Sequence, residues 1–157
     1  MRIVDPRLVD IHRHWESIRG GDDVPAADRF DPLDLVRHLG DLFVVRVEDD
    51  GTGQPDAQPP VLRYTLIGTR LVEALGRDAT GRVVGDTFPA GHPVTEVYLD
   101  LIARRVPIRT FGRMDWVQKG YRGFESVLLP LAAADGRICK IIGAAVYGPL
   151  PDDVAPP

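Results

Sequence analysis

The order of strand-forming and helix-forming segments most constrains what this chain can fold into. Five segments carry the β-branched and aromatic residues typical of strands: 41–48, 61–68, 108–116, 124–131 and 138–147. Two helix-forming segments stand between the second and third of them. Asp135-Gly136 predicts a hairpin turn before the last one. Because no strand–helix–strand unit repeats, the order predicts an α+β domain with an antiparallel sheet, and not a doubly wound parallel sheet.

The two central helices are delimited by their end residues. Thr69 is suited to cap the first helix, and Gly76 ends it. Pro93 opens the second, and its apolar residues recur on one face. We predict that both helices cover the same face of the sheet. A shorter helix is predicted to begin at Asp31-Pro32.

An N-terminal helix is predicted between an Asp5 cap with Pro6 and a stop at Gly20-Gly21. Its apolar residues recur every three or four positions and form a narrow stripe. They are Val4, Leu8, Ile11, Trp15 and Ile18. Such a stripe packs either on the domain's own sheet or against a second subunit.

Length and composition limit the broad class. The 157 residues are about one domain long, so we predict a single domain over 1–148 and a disordered, proline-rich tail over 149–157. The net charge of −4 argues against a nucleic-acid binder. No apolar segment predicts a secretion signal or membrane span, and Cys139 is the single cysteine. We therefore expect a cytoplasmic protein that binds no membrane.

No catalytic motif is apparent. Gly68-Thr69 follows a strand but belongs to neither a dinucleotide fingerprint nor a P-loop, although the amides of the helix it opens could contact an anion. Glu125 and Ser126 are adjacent in a strand and point to opposite faces. Asp115 lies between two large apolar residues in a predicted strand. This alternation indicates an outward-facing polar residue and not a buried base.

Several stretches together resemble the variant PAS-like domains found in many alphaproteobacterial proteins of unknown function. They are WESIRGGDDVP (15–25), FDPLDL (30–35), RYTLIGTRLV (63–72), GRDATGR (76–82) and ESVLLPL (125–131), and IIGAAVY (141–147) also fits. The resemblance runs from about Leu8 to Gly148. It implies a PAS-like five-stranded antiparallel sheet with helices on one face and an N-terminal helix.

The resemblance also implies a function. We expect a sensory or regulatory domain that binds a small ligand or a protein partner in signal transduction and catalyses no reaction. With no kinase, cyclase or DNA-binding module in the chain, output is expected through a separate signalling protein. Two alternatives remain: a small enzyme of the α+β cone type, which needs a buried pair such as His–Asp, and a structural dimerisation adaptor with a filled core.

Candidate site residues follow from this fold. A ligand pocket is expected between sheet and helices, lined by Tyr64, Leu66, Thr69, Leu71, Leu75, Tyr98, Leu101, Arg113 and Glu125. A homodimer is expected through the N-terminal helix, with Leu8, Ile11, Trp15 and Ile18 at the interface.

No cofactor is expected from the Cys and His residues. Cys139 lacks the sequence context of a flavin-reactive cysteine. His38 and His92 lie near predicted helix ends, so neither is expected to be a haem ligand, and His12 and His14 lie on different faces of one helix, so no metal site is expected.

Overall fold

The secondary structure follows the predicted order of elements. The computed structural model describes residues 1–49, 58–113 and 123–148. The helices are α1 (Pro6–Arg19), α2 (Thr69–Leu75) and α3 (Val94–Arg104). The strands are β1 (Leu42–Glu48), β2 (Val61–Ile67), β3 (Ile108–Arg113), β4 (Gly123–Ala132) and β5 (Ile138–Gly148). Short 3₁₀ helices span Ala27–Arg29, Pro32–Asp41 and Val84–Thr87.

Two predicted features fall outside this description. The proposed disordered tail over 149–157 and the predicted end of the third strand at 114–116 lie among residues that the structure does not describe. Within the described ranges, none of the helices has the length and apolar character needed to cross a membrane.

The strands form one sheet in the order β2-β1-β5-β4-β3, and every neighbouring pair is antiparallel. This confirms the predicted α+β, PAS-like five-stranded sheet. The central strand β5 carries a continuous buried run from Ile141 to Val146, because both of its faces are covered. Helices α2 and α3 cover one face, as predicted, and α1 covers the other.

Helix α1 begins and ends where its sequence predicts. The Asp5 carboxylate accepts a hydrogen bond from the Arg7 amide at 2.9 Å and so caps the first turn. Gly20 ends the helix in the left-handed conformation, with φ 63°.

The apolar stripe of α1 packs on the domain's own sheet. Leu8, Ile11 and Trp15 are at most 2% exposed and contact the residues of β4 and β5 that face away from α2 and α3. The indole Nε1 of Trp15 donates a hydrogen bond of 2.8 Å to the Pro130 carbonyl. The prediction that these three residues form a dimer interface is therefore wrong, because their surface is already buried within the chain. Ile18, at the end of the stripe, stays partly exposed.

A β-bulge divides strand β2. Val44 pairs with Leu66 but Val45 pairs with Tyr64, so Thr65 is an extra residue opposite β1. The bulge interrupts the alternation of side chains between the two faces. Leu66 consequently packs with the α1 layer, while Ile67 lies on the α2 and α3 side with Tyr64.

Gly68 explains the sharp bend from β2 into α2. A Cβ atom at this position would overlap the carbonyl oxygens of Leu39 and Gly40, so only glycine allows this approach of the backbones. Gly68 itself is the N-cap residue, and Thr69 is the first residue of the helix and not its cap as predicted. The Gly68-Thr69 step therefore lies where two segments of backbone pack closely against each other.

Candidate functional site

A cavity of about 500 Å³ lies between the sheet and the helices α2 and α3. Most of its wall is apolar and comes from β1, β2, β4, β5 and both helices. The apolar lining residues are Phe43, Ile67, Leu71, Leu75, Ala79, Phe88, Pro93, Val94, Val97, Phe124, Leu128 and Ala145. A pocket of this size and character is typical of small-molecule sites.

Gly143 of β5 leaves space for an aromatic ring that forms part of the cavity wall. The Phe43 ring lies directly over Gly143, where a Cβ atom would overlap three of its ring carbons. Phe43 also meets Tyr64 edge to face, with ring centroids 5.9 Å apart. The ring therefore rests on the sheet backbone and borders the cavity from below.

A tyrosine cluster supplies most of the polar atoms. Thr87 Oγ1 donates to the Val84 carbonyl at 2.7 Å, and the Tyr64 hydroxyl lies beside the Thr87 side chain. The Tyr98 hydroxyl also lies beside that of Tyr64. Burial raises the pKa of Tyr64, Tyr98 and Tyr147, and the neighbouring Tyr64 also raises the pKa of the other two. All three phenols are therefore protonated at neutral pH.

Tyr147 differs from the other two tyrosines. It enters the cavity from β5, and its hydroxyl has no hydrogen-bond partner among the described residues. A phenol that leaves water normally finds such a partner. Its hydroxyl is thus available to a group inside the cavity.

Arg77 and His92 complete the polar part of the wall. Arg77 follows the Gly76 that ends α2, and its Nη2 donates to the Thr87 carbonyl. His92 precedes α3 and stacks on Phe88, with ring centroids 4.6 Å apart. Burial lowers the pKa of the His92 imidazole, so it is neutral at neutral pH.

The structure brings four of the predicted ligand-binding residues to this wall: Tyr64, Leu71, Leu75 and Tyr98. The helical spacing from which Leu71 and Leu75 were predicted holds at these positions.

The other predicted ligand-binding residues lie away from the cavity. Leu66 is turned to the opposite face by the bulge at Thr65, and Leu101 is fully buried in the core beside the cavity. Thr69 is exposed in the first turn of α2, and Arg113 is exposed at the end of β3.

Glu125 has a different role from the one predicted. Its side chain lies on the α1 face, where it accepts hydrogen bonds from the amides of Val4 at 2.9 Å and Asp5 at 2.8 Å. Arg109 Nε donates to it at 2.6 Å. Glu125 therefore fixes the start of α1 to the sheet, while its neighbour Ser126 lines the cavity.

Several lining residues were missed by sequence reasoning. Phe43, Phe124, Ser126 and Tyr147 face the cavity because strands distant in sequence pair in one register. His92 was expected to be a residue near a helix end and not a haem ligand. Its position between Gly91 and Pro93 places it at the start of α3, and the stack on Phe88 turns it toward the cavity.

The single cysteine and the metal-ligating residue types bear on which cofactors the cavity can hold. Cys139 lies on β5 outside the cavity, with its Sγ 3.8 Å from the Leu131 carbonyl, and burial raises the pKa of its thiol. It is therefore placed neither to react with a flavin nor to carry a thiol-linked chromophore. Within the described part of the chain, no three His, Cys, Asp or Glu residues are grouped to hold a metal ion.

Comparison with known proteins identifies the family. A family model described as PAS domain matches residues 4–146. No curated protein matches the sequence. Matching solved structures include one titled as an RNA-binding light-oxygen-voltage receptor, with 18% identity and a TM-score of 0.47; the alignment covers 78% of this chain and 35% of that one. Since the family model spans nearly the whole sequence and the sheet has the expected topology, the chain belongs to the PAS domain family.

Proposed function

We propose that this PAS domain is a sensory or regulatory module that binds a small ligand between its sheet and helices and catalyses no reaction. PAS domains are in general sensory and regulatory domains. The observation that carries the proposal is the cavity of about 500 Å³, whose wall is mainly apolar with a few convergent polar groups. A cavity of this size supports ligand binding over the alternative of an adaptor with a filled core.

The arrangement of β3 and β4 supports a route from ligand to output. Thr110 and Ser126 face the cavity and are joined by a hydrogen bond of 2.6 Å between their hydroxyls. The residues next to them, Arg109 and Glu125, face the other way and hold the start of α1. A ligand that shifts these two strands would therefore shift the anchor of α1, which a signalling partner or a second copy of the chain would detect.

The cavity chemistry favours binding over catalysis. An enzyme of the α+β cone type needs a buried acid–base pair. The described residues that line the cavity include His92 but no Asp or Glu, so they supply no His–carboxylate pair.

Native mass spectrometry of the purified full chain tests the proposal directly. Wild-type protein is expected to retain a small molecule, and the variant Ala145→Phe, which fills the cavity from β5, is expected to lose it. Ala103→Phe, on the exposed side of α3, is the matched control and should retain it. Should Ala145→Phe fail to give the wild-type circular dichroism spectrum, Ala145→Leu replaces it. Equal retention by the filled variant and the control would contradict the proposal.

A further inference from the structure

The positive and negative groups on the described cavity wall do not balance. Arg77 is the one permanently charged group among the described residues that line the cavity, and no carboxylate lies there to balance it. Elsewhere in the described chain most arginines pair with Asp or Glu, as Arg63 does with Glu48 and Arg70 with Asp41. Arg77 forms no ion pair with any described carboxylate. Its charge is therefore left to a ligand or to solvent.

Arg77 is held in position by the backbone. Gly76 adopts the left-handed conformation that ends α2, with φ 77°, and so turns the chain toward the cavity mouth. The bond from Arg77 Nη2 to the Thr87 carbonyl fixes one side of the guanidinium. The remaining N–H groups are free of described acceptors, and a guanidinium presents them in the geometry that suits a carboxylate.

The tyrosine cluster adjoins this cation. Arg77 acts electrostatically on the Tyr64 hydroxyl and lowers its pKa, against the larger effect of burial. Thr87 lies between the two groups, since its carbonyl accepts from Arg77 and its side chain lies beside the Tyr64 hydroxyl. Tyr147, whose hydroxyl is unpartnered among the described residues, also lies close enough to Tyr64 for Tyr64 to raise its pKa. This corner of the cavity is thus rich in donors and positively charged, whereas the rest is apolar.

We propose that the ligand is a small apolar monocarboxylate, aliphatic or aromatic, whose carboxylate binds Arg77 and the Tyr147 hydroxyl while its hydrocarbon body fills the apolar part. The inference rests on the proposed ligand-binding function and adds the chemical class of the ligand. An apolar amine is disfavoured because the described lining residues include no Asp or Glu to receive it. A neutral ligand would gain no charge-assisted contact from Arg77.

Matched probes of one shape and different charge test the inference by calorimetric titration. Octanoate is compared with octanamide and octylamine, and 4-phenylbutanoate with its amide, which separates aliphatic from aromatic ligands. We expect at least one acid to bind about tenfold more tightly than its amide, the value of a charge-assisted hydrogen bond. That preference should fall at high salt because Arg77 is exposed to solvent. Arg77→Gln should abolish the preference, and Arg104→Gln, on the exposed side of α3, should keep it.

The outcomes separate the inference from the proposed function. If an amide or the amine binds as well as the acids, or if folded Arg77→Gln keeps the acid preference, the ligand class is wrong and ligand binding stands. If no probe binds and native mass spectrometry finds no retained molecule, the proposed function fails with it. If Arg77→Gln does not fold, two other measurements test the ligand class. Arg77→Lys is expected to keep a weakened preference for the acid, and the preference of the wild type is expected to fall with salt.

Discussion

Arg109 donates a hydrogen bond of 2.6 Å to Glu125 on the sheet face opposite the cavity, and both side chains are less than one tenth exposed. The Arg109 guanidinium also lies 4.3 Å from the centre of the Phe111 ring. Since Glu125 accepts the Val4 and Asp5 amides as well, this ion pair joins β3, β4 and the beginning of α1. The pair is therefore a structural connection of the N-terminal helix to the sheet.

We predict that Glu125→Gln destabilises the protein by about 3–5 kcal/mol, because a buried ion pair loses its negative charge and a backbone amide loses its acceptor. Asp100→Asn breaks an exposed pair with Arg104 and should cost less than about 0.5 kcal/mol. Urea unfolding measures both changes. Equal small costs would show that the Glu125 contacts contribute little to stability.

Trp15 is expected to matter for folding and not for subunit association. Trp15→Ala should cost about 3–5 kcal/mol, because the indole is buried against the sheet. Trp15→Phe keeps most of the packing but leaves the Pro130 carbonyl without its donor, so about 1–2 kcal/mol is expected. Urea unfolding gives the stability, and sedimentation of the folded fraction gives the mass. A variant of wild-type stability that loses a dimer would restore the interface that burial argues against.

The contact between Phe43 and Gly143 predicts a specific coupling. Gly143→Ala places a methyl group in the ring and should cost about 1–3 kcal/mol through overpacking. Phe43→Leu removes the obstruction, so the double variant should be more stable than the sum of the single changes indicates. Gly148→Ala is the control, since a Cβ there meets no atom within 4 Å. Strictly additive costs in urea unfolding would disprove the contact.

The fold could be predicted from the sequence because its signals are local. Segment order, the Asp5 cap, the Gly20 and Gly76 stops and the α1 stripe each depend on residues close together in the chain. Tyr64 and Tyr98 could be assigned to a pocket for the same reason: each lies on the apolar side of a regular element.

The rest of the site depends on contacts that local patterns do not show. Leu66 was misplaced because a single extra residue at Thr65 reverses the faces of the strand, and no Gly or Pro marks the bulge. Tyr147 was missed because its face is decided by pairing with β4 across the sheet. The α1 stripe was assigned to a partner because periodicity identifies an apolar face but not the surface that covers it.

Protonation of His92 should make the protein less stable in mild acid. Burial lowers its pKa, so the unfolded chain binds the proton more readily than the folded one. The contribution of neutral His92 is fully present above about pH 6.5, the ordinary histidine pKa, and is lost as pH falls from there toward the lower folded value. His12, whose pKa burial also lowers, acts in the same direction.

Urea unfolding midpoints compared at about pH 7.5 and about pH 5.5 check this expectation. His92→Gln and His12→Gln should each reduce the decrease between the two conditions. If neither substitution changes the decrease, other groups are responsible for it.

Substitution of the cavity tyrosines should separate affinity from stability. The Tyr98 hydroxyl is buried beside that of Tyr64, so Tyr98→Phe removes a buried polar contact and should cost about 1–2 kcal/mol in urea unfolding. The Tyr147 hydroxyl has no described protein partner, so Tyr147→Phe should leave stability within about 0.5 kcal/mol of the wild type. The same change should weaken ligand binding about fivefold in calorimetric titration, because the ligand loses one hydrogen bond. A Tyr147→Phe protein that is markedly less stable but binds as the wild type would show that this hydroxyl serves the fold and not the ligand.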